Sequence, residues 1–215
     1  MVIILKQFFY NVHIYSFIKI KIVFVRKMNV KDAIENRRAY RSLTEIKITE
    51  EIINDLGTAA QLMPSCFNKQ PWRFVFVYKD PQLERMKNEA LSEKNLSWAK
   101  EASMIIAVFS KKDLDCVIKE REYYLFDTGF AVASIMLRAT EMGLVAHPIA
   151  GYSPNKVREV LNIPSEYNVI TLLVIGKKDP NIPADFDEYQ VKNEKNRPQR
   201  KPLKEFLFHN NFNSQ

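Results

Sequence analysis

Two apolar runs, Met104-Ile105-Ile106-Ala107-Val108-Phe109 and Val169-Ile170-Thr171-Leu172-Leu173-Val174-Ile175, constrain this chain more than any other feature. A short run with no polar face is what a strand requires when helices cover both faces of its sheet, so Met104 to Phe109 belongs at the middle of one, and Val169 to Ile175, closed by Gly176, is a second strong strand. Arg73-Phe74-Val75-Phe76-Val77-Tyr78, aromatic and β-branched and ending at Asp80-Pro81, supplies a third strand.

Helices are predicted around these strands. Asn29 with Asp32 in the first turn starts one that runs to about Arg38. A second starts at Thr49, places Glu50 and Glu51 at its positive end, buries Ile52, Ile53, Leu56, Ala60 and Met63, and stops at Pro64. Helical residues follow Pro81 to about Ala90. The longest helix spans about Glu120 to Met142, where Phe126, Gly129, Phe130, Ala133, Met136, Leu137 and Thr140 make a stripe wide enough for burial on more than one side and Gly143 ends it. Ser153-Pro154 starts a helix bearing Val157, Val160 and Leu161. From Lys178 onward the chain is polar and Pro-punctuated until Leu203, Phe206, Leu207 and Phe208, so this tail must lie on something, a partner subunit being one candidate.

Five glycines leave no room for a Gly-rich dinucleotide or phosphate loop, and any phosphate must be held by side chains or helix ends. Cys66 and Cys116 stand far apart, and His13, His147 and His209 are isolated, so neither a disulfide scaffold nor a zinc, iron–sulfur or His-based metal site is expected; the chain is read as cytoplasmic and metal-free. The net charge of +7 is concentrated in residues 1–27, which hold Lys6, Lys19, Lys21, Arg26, Lys27 and no acid. The remainder carries 27 basic against 25 acidic residues, too even for a nucleic-acid footprint. Residues 1–27 have no apolar run long enough to span a bilayer, and their charges follow the apolar stretch instead of preceding it as in a secretory signal. A peripheral anchor, an added element or an upstream extension ahead of a start at Met28 are the readings left, and the last is favoured; residues 28–215 then form a single domain.

Two segments carry the chemistry. Arg37-Arg38-Ala39-Tyr40-Arg41 puts three guanidiniums within five residues. As helix-terminal residues they would each contribute about 0.3–1 kcal/mol against the macrodipole, and together they suit a phosphate dianion, which takes bidentate bonds better from Arg than from Lys. Pro64-Ser65-Cys66-Phe67-Asn68-Lys69-Gln70-Pro71-Trp72 joins a terminated helix to a strand, with Ser65 and Asn68 offering donors and acceptors. Read plainly, it is a loop with a buried Trp.

In order and separation these segments resemble the nitroreductase family, with its Arg-rich run at the phosphate of FMN and its Pro-Ser-x-x-Asn-x-Gln-Pro-Trp segment beside the flavin ring. The resemblance continues through Asn95 and Trp98, His147-Pro148-Ile149-Ala150-Gly151, Leu161 to Pro164, and Arg200-Lys201-Pro202-Leu203, covering about Met28 to Phe208. It implies an α+β fold: a central mixed, mainly antiparallel sheet flanked by helices, with a C-terminal tail extending to the partner subunit of a homodimer and the long helix near that contact. It also implies FMN held by Arg37, Arg38, Ala39, Arg41 and Arg200 or Lys201 at the phosphate, Asn95 at the pyrimidine edge, and Pro148, Ile149 and Gly151 against the ring face. Pro64, Ser65, Cys66, Asn68 and Gln70 would approach the ring from a second subunit.

The implied activity is ping-pong: NADH or NADPH reduces flavin N5 by hydride transfer, and a nitroaromatic, quinone or similar small acceptor then takes two electrons. No side chain is assigned a catalytic role, because the flavin carries the hydride. Neither stable membrane insertion nor nucleic-acid binding is expected. Ala39 replaces the usual Ser, and Ala150 stands where some members carry Glu, which leaves the acceptor open. A flavin-binding carrier or sensor without efficient turnover is the alternative.

Overall fold

The computed structural model describes residues 28–212, so the expectation for residues 1–27 lies outside the described part. A five-stranded sheet forms its middle layer. β3 (Met104–Ser110) is paired on one edge with β2 (Arg73–Val77) and on the other with β7 (Asn168–Lys178), which also carries β6 (Val145–Ile149) and the two-residue β1 (Leu43–Thr44). All of these pairings are antiparallel.

The two apolar runs become neighbours, with Ile106 opposite both Phe76 and Leu173. Alternation along them builds two cores. Ile105, Ala107, Leu172 and Val174 face one side, packed with Leu83, Met86, Trp98, Val157 and Val160. Met104, Ile106, Val108, Leu173 and Ile175 face the other, against Leu56, Ala60, Ala131, Ile135 and Ala139. Because each successive residue turns to the opposite face, only a run without polar positions serves a sheet covered twice.

The layer on the first side holds α3 (Gln82–Arg85), which continues as a wider turn through Met86–Ala90, together with α4 (Glu93–Ala99) and α6 (Pro154–Leu161). On the second side lie α2 (Glu50–Gln61) and α5 (Tyr124–Glu141), tied where Arg138 Nε donates to Asp55 Oδ1 at 2.9 Å. α1 (Val30–Asn36) begins with an Asn29–Asp32 capping box. Gly143, at φ 73°, follows the end of α5 in the left-handed region that a side chain would strain.

Four expectations need correction. The long helix starts at Tyr124 and not near Glu120, because β4 (Val117–Ile118) and β5 (Arg121–Glu122) form a hairpin ahead of it, turning at Lys119 with φ 57°. β7 runs past Gly176 to Lys178, where β1 pairs with it. The segment after Lys178, expected only to lie on something, forms a helix of its own: α7 (Glu188–Lys195), with an Asp187–Gln190 capping box, packs onto this chain's own body through buried Gln190 and Glu194. The cysteines, far apart in sequence, are joined as a Cys66–Cys116 disulfide.

Ile106 is fully buried between two strands and the α2–α5 layer. Replacing it with Ala is expected to remove about 2–5 kcal/mol of stability, read as a lower urea midpoint at an unchanged m value.

Candidate functional site

After Asn36 the chain leaves α1 in extended geometry, with Arg37 at φ −57° and ψ 121°. The arginine run is therefore not a helical last turn, and opposing the macrodipole does not account for it. Its conformation is held from α7: the Glu194 carboxylate accepts the Arg41 backbone N–H at 2.6 Å and the Ser42 hydroxyl. Arg38 Nη2 donates to the Asn193 and Glu194 carbonyls at 2.5 and 3.3 Å and lies 4.5 Å over the Tyr40 ring. Arg197 donates to the carbonyls of Glu35 and Arg37.

These contacts leave a basic cavity lined by Arg37, Ala39, Arg41, Arg197 and Arg200, with Arg38, Tyr189 and Asn193 at its wall. Among the described residues the guanidiniums of Arg37, Arg41 and Arg200 make no hydrogen bond or ion pair. Burial first, then the like charges of Arg197 and Arg200, lower the proton affinity of Arg37. Positive charges crowded without a counter-charge are the electrostatics of an anion site. Lys201 is not brought in; it is exposed and pairs with Glu205 at 3.5 Å. Arg197, which sequence reasoning did not single out, takes part instead.

Arg41 also lines an adjoining cleft with Ser92, Lys94, Asn95, His147, Pro148, Ile149, Ala150 and Gly151. β6 delivers His147 to Ile149, and α4 delivers Asn95. Asn95 Nδ2 donates to the Gly151 carbonyl at 2.9 Å, and Asn95 Oδ1 accepts from Trp98 Nε1 at 3.2 Å. One N–H and one lone pair of that amide remain. A Cβ on Gly151 would sit 2.6 Å from Asn95 Nδ2 and 2.9 Å from Ser92 Oγ, so any side chain there would push the Asn95 amide and the Ser92 hydroxyl out of place.

His147 is a wall of this cleft. Its ring stacks on Trp98 at 4.6 Å, and Nδ1 lies 3.0 Å from the Tyr40 carbonyl, which fixes the Nδ1–H tautomer. Burial, partly opposed by that hydrogen bond, pushes its pKa down to about 4.

Pro64, Ser65, Cys66, Asn68 and Gln70 line neither cavity. Their loop contains a single turn, Cys66–Asn68, with Phe67, Asn68 and Gln70 at φ 48°, 55° and 47°. Non-glycine residues there are strained and need external support. Ser65 Oγ accepts from the Gln70 N–H at 2.8 Å, Gln70 Nε2 donates to Asn68 Oδ1 at 3.0 Å, and the Cys66 N–H donates to Asp127 Oδ2 at 2.7 Å. Trp72 anchors the far end in the core.

A basic cavity that shares an arginine with a cleft walled by Pro-Ile-Ala-Gly can be compared with known proteins. The nitroreductase family model matches residues 34–177. The chain belongs to the nitroreductase family. It is accordingly an oxidoreductase of antiparallel α+β architecture. It is 26% identical over 212 residues to protein DrgA of Synechocystis, covering 84% of this chain and 95% of the relative. It is 24% identical over 180 residues to an NADH dehydrogenase of Thermus thermophilus, covering 69% and 86%. A solved structure of an oxidoreductase containing FMN aligns with a TM-score of 0.74 at 28% identity, covering 85% of this chain and 92% of the other.

Because His147 is neutral when folded and charges more readily when unfolded, the unfolded state binds more protons between pH 6.5 and about 4. Its contribution is complete above the ordinary value and is lost as the pH falls through that window, on the order of 3 kcal/mol. Urea titrations at several pH values are expected to show this decline, and His147→Gln to flatten it.

Proposed function

We propose that this chain is an FMN-dependent oxidoreductase that takes electrons from NADH or NADPH and delivers them, two at a time, to a nitroaromatic, quinone or similar small acceptor. The observation that carries this is the set of three guanidiniums, Arg37, Arg41 and Arg200, that make no hydrogen bond or ion pair among the described residues and line one basic cavity, with Arg41 also bordering the Asn95–Gly151 cleft. A phosphate dianion fits the first and a flat ring the second. The relative named as an NADH dehydrogenase and the similar oxidoreductase that contains FMN support the same donor and cofactor.

In this assignment Arg37, Arg41 and Arg200 hold the phosphate beside the Ala39 backbone. Arg38 contributes mainly by fixing the last carbonyls of α7, and Lys201 is left out. Asn95 offers its remaining N–H and lone pair to the pyrimidine edge. Pro148, Ile149 and Gly151 lie against one ring face and exclude water from it. FMN bound there would supply a two-electron carrier that a reduced nicotinamide fills and an acceptor empties, so both substrates use one opening in turn. Neutral His147 adds no charge to the cleft and serves as its wall.

The second ring face is where Pro64, Ser65, Cys66, Asn68 and Gln70 of another subunit would come, since in their own chain they line neither cavity. A homodimer also suits the apolar groove between α1, α2 and α5, lined by Met28, Val30, Leu62, Phe130 and Leu137. The exposed Leu203, Phe206, Leu207 and Phe208 of the C-terminal segment suit the same assembly. No helix among the described residues is long and apolar enough to cross a membrane, and residues 28–215 are taken as one domain working in the cytoplasm.

The purified protein is expected to show the visible absorption of bound FMN, bleached by NADH or NADPH and restored by a quinone. Arg37→Ala, Arg41→Ala and Arg200→Ala should each weaken FMN binding about 10- to 100-fold, as loss of a charged hydrogen bond implies. Lys201→Ala should change it little, and riboflavin, which lacks the phosphate, should be indifferent to all four. A colourless protein that takes up no FMN, or equal losses for FMN and riboflavin, would remove the proposal.

A further inference from the structure

The chemistry assigned above makes no use of the Cys66 sulfur, Cys116 or Asp115. Cys66 and Cys116 are 50 residues apart in the chain, yet their Cα atoms are 6.0 Å apart and the sulfurs are bonded, a separation that suits bridging without backbone movement. Asp115 lies beside them and is only 4% exposed. Its Oδ1 accepts the Cys116 N–H at 2.8 Å, while among the described residues its Oδ2 meets no N–H or hydroxyl donor and has only the carboxyl of Asp127 to share a proton with. Both sulfurs and an Asp115 carboxylate oxygen fall within 4.8 Å of one another.

A buried carboxylate oxygen that no N–H or hydroxyl donor satisfies is costly, and the bond to the Cys116 N–H uses only the other oxygen. Burial foremost, then the like charge of Asp127 and the hydrogen bond the two carboxyls can share once one is protonated, raise the proton affinity of Asp115, against the lowering effect of the Cys116 N–H and of Lys69. A carboxylate so placed is a better match for a thiol proton than a solvated one. Cys116 is buried and Cys66 half-buried, which makes Cys66 the sulfur that a small molecule reaches first.

We propose that Cys66 and Cys116 form a reversible dithiol–disulfide site, oxidised by small-molecule disulfides, in which the Asp115 carboxylate accepts the proton of the Cys116 thiol. The Cys66 thiolate, its proton lost to water, attacks one sulfur of the oxidant RSSR; a Cys66–SR bond forms, the S–S bond of the oxidant breaks, and RS⁻ leaves to be protonated by water. Asp115 then takes the Cys116 proton, the Cys116 sulfur attacks Cys66 Sγ, and the second RS⁻ departs with the proton that Asp115 returns. Two thiols are oxidised and one disulfide is reduced to two RSH.

The site is placed to act on the Pro64–Gln70 loop. Three left-handed residues there need external support, and the disulfide is one of the anchors at its start, beside the Cys66–Asp127 hydrogen bond. Reduction removes that anchor. The exchange itself uses no flavin; the route by which an oxidant reaches Cys66 and the consequence for the second ring face rest on the FMN assignment, which sets Cys66 beside a ring held by another subunit.

The test uses the full chain, reduced and freed of reductant, with oxidised glutathione as the probe, followed by acid quenching, alkylation and mass spectrometry. Wild type should lose both thiols, release two glutathiones per chain and end with the Cys66–Cys116 bond. Cys116→Ser should stop at a single glutathione adduct on Cys66. Asp115→Asn should form that adduct at the wild-type rate and resolve it at least 10-fold more slowly. Hydrogen exchange over residues 64–70 should be faster in the reduced wild type. Wild-type protein that keeps both thiols, an Asp115→Asn variant that resolves as fast as wild type, or a stoichiometric zinc ion holding the two thiolates would each overturn the proposal. None of these readouts depends on flavin content, so their failure is distinguishable from failure of FMN binding.

Discussion

The arrangement of the site depends on one buried carboxylate. Glu194, on a helix near the C-terminal end of the described chain, accepts the Arg41 N–H and the Ser42 hydroxyl more than 150 positions earlier. That clamp sets the course of residues 37–42 as they leave α1 and lead into β1. The same landing brings Arg197 and Arg200 to Arg37 and lets Arg38 close the end of α7. A buried carboxylate is costly unless its oxygens are satisfied; here both are, and the satisfaction joins two ends of the chain that the central sheet alone would leave independent.

The same logic of satisfied polar groups runs through the cleft. Asn95 is fixed by Trp98 and by the Gly151 carbonyl, Trp98 carries His147 on its face, and His147 returns to the Tyr40 carbonyl inside the arginine segment. α4, β6 and the arginine run are thus linked side chain by side chain. A flat, neutral wall beside a strongly positive pocket follows from burial of the imidazole, since a charged His147 so near Arg37 and Arg41 would be opposed by both.

Much of the sheet was legible because the middles of β3 and β7 are almost wholly apolar on both faces, and α2 because Thr49 and Pro64 bracket it. The start of α5 was misplaced because Val117 to Glu122 is too short and too polar to announce a hairpin, and only Lys119 in the left-handed region makes the turn. α7 was missed because it buries Gln190 and Glu194 where apolar residues would have given a period; the Asp187–Gln190 capping box was the available signal. Of the candidate site, the arginine run lines the basic cavity, and Asn95 and Pro148 to Gly151 line the cleft that shares Arg41 with it. Lys201 lines neither, because it turns to Glu205, and the cysteine pairing was hidden because only the fold closes a separation of 50 residues.

Arg41 borders both the basic cavity and the neighbouring cleft. One guanidinium therefore answers to two tenants. A dianion settling in the first chamber draws its field inward and leaves the second less positive; an anionic visitor to the second competes for the same charge. A change at residue 41 would therefore be felt in both chambers, whereas the exposed Pro148 and Ala150 border the cleft alone.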